Sequence, residues 1–291
     1  MKNVIIVGVG EVGSAIEKLE RENGNDLILF DDKLEAPQNI PDEIDVMHIS
    51  IPFIKNFVNT VIEYVNTYKP KITIINSTIK PGTTDYIKEF VKTPVVHSPI
   101  RGIHPNLYEG IKTFVKFIGG NPEDCKLAQD HFESFGIKTS NMTSKESEFL
   151  KLIDTTYYGW NIAFAKYIND MCEENGLNYE NVYTKANITY NEGYTKLGKS
   201  NVVRPVLFPP KDGVGGHCIS SNCLILHEYS PELCNEILKV GKDSKDPLND
   251  KDWLYCEYVT KNTPMSKIAK ELNVSKQHIV RKLIKYNIYR Q

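Results

Sequence analysis

A chain of 291 residues with 41% hydrophobic and 25% charged residues has the composition of a globular protein and is long enough for two domains or more. No apolar run approaches the ~20 residues of a membrane span, and Met1-Lys2-Asn3 leads straight into a strand rather than a targeting segment. That excludes a membrane-embedded protein and sets the expectation of a cytoplasmic one. The six cysteines, at 125, 172, 218, 223, 234 and 256, form no Cys-x-x-Cys pair, so they read as reduced thiols and not as a disulfide framework. The net charge of −2 conceals an asymmetry: residues 250–291 carry nine Lys and Arg against four Asp and Glu, so a basic end follows an acidic body.

Val4-Ile5-Ile6-Val7 is a continuous apolar run, the pattern of a parallel strand buried on both faces. Gly8-Val9-Gly10-Glu11-Val12-Gly13 follows at once, and 14–21 reads as a helix. A second strand, Leu27-Ile28-Leu29-Phe30, ends at Asp31-Asp32. A strand, a GxGxxG turn, a helix and an acid at the end of the next strand together form a dinucleotide-binding fingerprint. The glycines let a pyrophosphate sit on the helix N-terminus. Asp31 would accept from the ribose 2′-hydroxyl, and the Asp31-Asp32 pair would repel a 2′-phosphate. The expected cofactor is NAD rather than NADP.

Strands at 46–51 (stopped by Pro52), 72–75, 95–97 and 114–120 alternate with helices at 57–68, 85–91 and 125–135. This alternation predicts an α/β fold, a doubly wound parallel Rossmann sheet over 1–143, with ligands at the C-terminal ends of its strands. Gly8 to Gly13, Asp31, Pro52, Ser77 and Thr78 are placed there. From 144 the pattern changes. Residues 145–174 have no helix breaker except Gly159, and their apolar positions recur at helical spacing, so one long helix opens an all-α domain over 144–243. Such a helix suits a spine between domains or a dimer interface. Shorter helices are expected at 179–187 and 224–238, with loop over 200–216.

Asp212-Gly213-Val214-Gly215-Gly216-His217-Cys218 puts a glycine-rich turn before a cysteine. If the turn feeds a helix, Cys218 lies at its N-terminus, where the helix dipole favours a nucleophilic thiolate. The alternative is a glycine turn followed by a packing cysteine. Arg204, in a proline-rich loop, is a candidate for binding a phosphate or carboxylate. His217, Cys218, Cys223 and His227 fit no structural zinc spacing, so no metal is expected.

Residues 250–291 read as a small third module with helices at 252–261, 267–272 and 276–286, and with Ser275 as the N-cap of the last. Ile268, Ala269, Leu272, Val274, Ile279 and Leu283 form the core of a helix-turn-helix pattern, with Lys276, Gln277, His278, Arg281, Lys282 and Lys285 facing outward. The stretch resembles helix-turn-helix units at the C-termini of phage-type nucleases, which implies duplex DNA as a partner. The other reading is an appendage used for oligomerisation.

From Met1 to about His227 the chain resembles the UDP-glucose/GDP-mannose dehydrogenase family. The resemblance rests on the N-terminal glycine turn, Asn76-Ser77-Thr78-Ile79-Lys80-Pro81-Gly82-Thr83-Thr84, Ser98-Pro99 with Arg101, and Gly119-Gly120. It continues with Glu148, Lys151 and Cys172-Glu173, and ends on Gly213-Val214-Gly215-Gly216-His217-Cys218. It implies that Cys218 attacks an aldehyde formed by a first hydride transfer, and that the resulting thiohemiacetal gives a second hydride to NAD before hydrolysis. On the same footing Lys151 stabilises the oxyanion and Thr78 positions a water. Arg101, Lys151, Thr155, Arg204, Gly216, His217 and Asn222 are the expected substrate contacts. Three positions depart from the family pattern: Ile100 replaces a glutamate, Thr155 an asparagine and Asn222 an aspartate. The expectation is an NAD-dependent oxidoreductase, a dimer, acting on a small molecule such as a nucleotide sugar. Two alternatives stand beside it: a two-electron hydroxyacid-type dehydrogenase with Lys151 as acid/base, and a non-enzymatic NAD-sensing regulator that binds DNA.

Overall fold

The structure is a computed structural model that describes residues 1–102, 105–209, 217–240, 248, 251–272, 274–286 and 288. The chain divides into two compact units, Met1–Lys151 and Leu152–Gln291.

The first unit is a seven-stranded sheet built from β1 (Asn3–Val7), β2 (Asp26–Phe30), β3 (Val46–Ile49), β4 (Ile72–Ile75), β5 (Val95–His97), β6 (Lys116–Gly119) and β7 (Thr139–Met142). Its order is β2-β1-β3-β4-β5-β6-β7. The pairs are parallel except β5–β6, which meet antiparallel at His97 and Gly119. The expected Rossmann sheet is therefore present with one reversed junction. The chain switches direction of winding at β1, so the crevice at the carboxyl ends of β1 and β3 is the place where such folds take ligands.

Alternation along each strand builds two cores, one per face. Val4 and Ile6 join Val46, Ile72, Ile74 and Phe132 on one side. Ile5 and Val7 join Met47, Ile49, Phe57 and Val61 on the other. The first face is covered by α1 (Glu11–Glu22), α4 (Leu107–Thr113) and α5 (Pro122–Glu133), the second by α2 (Phe57–Tyr68) and α3 (Thr83–Lys88). The predicted limits of α2, β4 and β5 coincide with those observed. Two elements escaped the sequence pattern. β7 reads Thr-Ser-Asn-Met and is largely solvated, so it has no apolar alternation to show. α4 contains Gly110, where a Cβ would lie 2.6 Å from the Arg101 carbonyl oxygen.

A buried polar cluster fastens the first face. The Glu20 carboxylate of α1 accepts from Nε2 of His48 on β3 at 3.0 Å and of His131 on α5 at 2.7 Å. Nδ1 of His48 accepts from Asn76, and Nδ1 of His131 accepts from Lys2. One carboxylate therefore joins three elements. Burial pushes the Glu20 carboxyl up, but the hydrogen bonds from His131 and His48 outweigh it and hold it well below the usual carboxylate range.

The second unit is helical. It holds most of α6 (Ser144–Glu174), then a π-helical segment Glu180–Thr184, α7 (Lys185–Lys196), a short 3-10 turn Ser200–Val202, α8 (His217–Leu226) and α9 (Pro231–Lys239). It ends with α10 (Lys251–Tyr255), a second π-helical segment Cys256–Thr260, α11 (Met265–Glu271) and α12 (Lys276–Lys285). Gly159, the one breaker in α6, has a packing reason. A Cβ there would lie 2.6 Å from Ile219 of α8 and 3.2 Å from Ile237 of α9, so glycine lets three helices close on one another. The π-helical segments explain why two single predicted helices, at 179–187 and 252–261, each divide in two. Among the described residues no helix is long and apolar enough to cross a membrane.

Acid should loosen the first unit through its buried histidines. Burial lowers His97 to about 3 and also lowers His48. A group depressed in the folded state leaves stability intact above the unfolded pKa of about 6.5 and removes it as pH falls toward the folded value. His97 alone should cost about 2 kcal/mol between pH 7 and pH 5. Urea unfolding at the two pH values should show this loss, and replacing His97 with Gln should remove most of the difference.

Candidate dinucleotide and thiol sites

The turn after β1 is built from backbone contacts. Gly8 has φ +88°, a left-handed conformation that favours glycine, and its N–H bonds the Phe30 carbonyl at 2.7 Å. A Cβ on Gly13 would lie 1.8 Å from the Gly8 carbonyl oxygen, so α1 can start over β1 only with glycine at 13. Gly10 differs: a Cβ there would meet nothing within 4 Å. It caps α1 in an extended conformation with no side-chain cap, so the first N–H groups of α1 have no side-chain acceptor from the cap residue. Two glycines are needed by the fold, and the third keeps a helix N-terminus open, a shape and polarity that suit a pyrophosphate.

Asp31, at the end of β2, accepts from the Val9 N–H at 2.8 Å and from the Lys33 N–H at 3.1 Å. The bond from Val9, then that from Lys33, holds its carboxyl below the usual range. The acid is thus ionised and pinned to the glycine turn, where a ribose hydroxyl would find an acceptor. Pro52 is exposed beyond the end of β3. Ser77, just past β4, is buried and donates to the Ile51 carbonyl at 2.6 Å, with Thr78 half-buried beside it. Because β1, β3, β4 and β5 run parallel, Gly8, Pro52, Ser77 and the 98–101 segment all follow strand ends on one edge of the sheet. The predicted cofactor residues are gathered there. Glu11 and Val12 begin α1, with Glu11 exposed and Val12 half-buried.

Lys151, near the start of α6, donates to the Ile100 carbonyl at 2.8 Å. The Ile100 side chain is buried, so the position holds Lys151 through its backbone and not through a carboxylate. Arg101 is half-buried against Phe114 and Phe117, at 5.4 and 5.3 Å from the two rings.

Three further residues shape this edge and were not singled out as site residues from the sequence. Lys116 is buried and donates to the Ser98 and Pro99 carbonyls at 2.6 and 3.0 Å. Burial, then the charge of Lys151, puts its ammonium well below the usual lysine range. His97 donates from Nε2 to the Ser77 carbonyl at 3.1 Å and accepts at Nδ1 from Ser147 at 2.9 Å. Glu148 accepts from Thr84 N–H at 2.8 Å, Thr84 Oγ1 at 2.7 Å and the Gly82 N–H. Burial pushes that carboxyl up against those bonds. The hints available in the sequence were a lysine and a histidine inside predicted strands, and Glu148 among the residues that carry the family resemblance.

In the second unit Cys218 is the second residue of α8 and is half-buried. Asn222 follows one turn later, 4% exposed, with its Nδ2 lacking a hydrogen-bond partner. Thr155 is half-buried on α6. Arg204 stacks on Tyr190 at 3.6 Å, and its backbone is held by both amide atoms of Asn191 at 2.8 Å. Gly216, with the 213–215 turn before it, lies outside the described residues, as does the His217 side chain. Cys223 and Cys234 are buried and share a hydrogen bond, which, with burial, pushes the Cys234 thiol up.

The sheet, the glycine turn and the strand-end acid define a Rossmann-type dinucleotide-binding fold. Residues 145–241 match the UDP-glucose/GDP-mannose dehydrogenase family, central domain. The UDP-N-acetyl-D-mannosamine dehydrogenase of Methanocaldococcus jannaschii is 29% identical over 200 residues, 66% of this chain and 43% of the relative. This chain therefore spans less than half the length of that curated relative. Among solved structures, the UDP-D-ManNAc dehydrogenase of Pyrococcus horikoshii superposes with a TM-score of 0.67 at 15% identity, covering 98% of this chain and 81% of the other. The 3-hydroxyisobutyrate dehydrogenase of Mycobacterium tuberculosis has a TM-score of 0.59 at 13% identity, covering 97% and 99%. The relatives by sequence are UDP- and NDP-sugar dehydrogenases, and the fold is shared with a 3-hydroxyisobutyrate dehydrogenase.

The two kinds of glycine can be separated by experiment. Gly13→Ala should destabilise the chain by roughly 1–3 kcal/mol or more, because backbone must move to admit the methyl group. Gly10→Ala should leave urea stability within about 0.5 kcal/mol yet weaken NADH binding in calorimetry.

Proposed function

We propose that this chain is an NAD-dependent oxidoreductase of the nucleotide-sugar dehydrogenase type. The observation that carries the reading is the open N-terminus of α1 at Gly10, with the ionised Asp31 bonded to the same turn. NAD, when bound, supplies a hydride acceptor. Gly8 to Gly13 would cradle its pyrophosphate, Asp31 its ribose, and Ser77 and Thr78 would border it at the ends of the neighbouring strands. The Asp31-Asp32 pair disfavours a 2′-phosphate by like-charge repulsion.

The chemistry assigned to the second unit rests on Cys218. Its place in the first turn of α8 puts the thiol in the positive end of a helix dipole, which favours the thiolate. A thiolate there can attack an aldehyde carbon; the family resemblance is what assigns an oxyanion-stabilising charge to Lys151 of the first unit. The match of 145–241 to the family's central domain supports these roles, and a nucleotide sugar is the substrate class it favours. The second reading, a two-electron hydroxyacid-type dehydrogenase, has one observation in its favour: Ile100 and Asn222 stand where the resemblance calls for carboxylates.

Full-length protein incubated with NAD and either UDP-N-acetylmannosamine or UDP-glucose tests both readings through NADH absorbance. Two NADH per sugar, lost in Cys218→Ala, is the expected result. One NADH per substrate, retained in Cys218→Ala, establishes the hydroxyacid reading. NADH should bind more tightly than NADPH, with the gap narrowed in Asp31→Ala; no binding of either overturns both readings.

The same proposal includes a homodimer formed through α6. Ile153, Tyr157, Trp160, Phe164, Tyr167 and Met171 are exposed apolar residues. They recur at alternating steps of four and three, the spacing of a helix-packing seam. A solvated stripe of that length is costly unless a partner covers it. Trp160→Asp combined with Phe164→Asp should convert the dimer to a monomer in sedimentation analysis while leaving the helical circular dichroism intact.

A further inference from the structure

We propose that residues 250–291 form a helix-turn-helix that binds duplex DNA through the outer face of α12. The dehydrogenase reading gives this segment no task. α11 and α12 pack on each other and bury Ile268, Ala269, Ile279 and Leu283, while α10, which buries Leu254, packs on α8. Between α11 and α12 the chain turns within a few residues. The Val274 N–H closes on the Ala269 carbonyl at 2.9 Å, and Ser275 Oγ caps α12 by accepting from the His278 N–H at 3.2 Å. The core fixes which side of α12 faces water.

That outward side is cationic and polar. Lys276, Gln277, His278, Arg281 and Lys285 are exposed. No Asp or Glu occurs from 276 to the end of the chain. Two of the four acids of the segment are engaged: Glu257 holds Lys261 at 2.6 Å and Thr263 at 3.0 Å, and Glu271 lies 3.9 Å from Lys267. The positive charge of α12 therefore has no compensating acid on its own helix. An exposed cationic helix about 15 Å long, whose first turn exposes Lys276, Gln277 and His278, can enter a major groove. Lysines at both ends can reach phosphates, and Gln277 and Arg281 are side chains able to read base edges. Ile284, 59% exposed, adds one apolar contact of the kind a thymine methyl accepts. A protein partner would call for a wider apolar face than this one isoleucine.

The test uses the full chain and a fluorescein-labelled mixed-sequence duplex of about three helical turns, read by anisotropy. With roughly three phosphate contacts, affinity should fall about fortyfold between 50 and 200 mM salt. In K276A/K285A the salt slope should drop by about 2, leaving a fall of roughly fourfold. Circular dichroism and NADH calorimetry on the same samples show whether the variant is folded and keep this outcome separate from that of the dehydrogenase reading. No anisotropy change at 50 mM salt with folded protein overturns the proposal. An unchanged salt slope in the double variant, or single-stranded RNA displacing the duplex at equal charge, overturns it as well.

Discussion

The carbonyl of Gly8 lies where a Cβ of residue 13 would have to be, and the first unit is arranged around that contact. It forces α1 to begin directly over the end of β1, so the helix dipole is aimed across the carboxyl edge of the sheet. Asp31 then fixes the turn from the other side by accepting from the Val9 N–H. Far from this edge, Glu20 on the same helix ties α1 to β3 and α5 through two histidines. One helix is thus held at its start by backbone contact and near its end by a buried carboxylate. A displacement of α1 would strand that carboxylate without its donors, which is costly in a low-dielectric interior.

The edge beyond β5 is organised by cations where the family resemblance leads one to expect an acid. Lys116 and Lys151 bond three successive carbonyls, those of Ser98, Pro99 and Ile100. Burial, then the charge of Lys151, holds the Lys116 ammonium well below the usual lysine range. The backbone of 98–100 therefore supplies partial negative charge in place of a carboxylate. Glu148, three residues before Lys151 on α6, caps the start of α3 through Gly82 and Thr84. The helix that carries the lysine is thus anchored to the loop that follows Ser77 and Thr78.

Much of this was legible in the residues. A continuous apolar run gave β1 because a central parallel strand is buried on both faces. The glycine turn with Asp31 was legible because three local signals coincide there. What was hidden depended on tertiary context. β7 is polar because it lies at the sheet edge. The antiparallel junction of β5 with β6 is set by a connection through α4, which apolar periodicity does not encode. Lys116 and His97 gave no signal of their role, since only the folded chain shows which carbonyls receive their protons.

α6 is apolar around much of its circumference, and the structure accounts for the two sides differently. On one side Leu152, Thr156, Gly159 and Ala163 are small or buried, which lets Ile219 and Ile237 pack close to the backbone. On the other, large residues from Ile153 to Met171 stay exposed at seam spacing. A single helix of 31 residues selected only to fill one core would carry polar residues along its outer face. Small residues inward and aromatic residues outward give α6 one apolar face packed within its own unit and a second that is exposed. The glycine that sequence rules mark as a helix breaker is thus what makes the inner packing possible, and the outer stripe gives the helix its second apolar face.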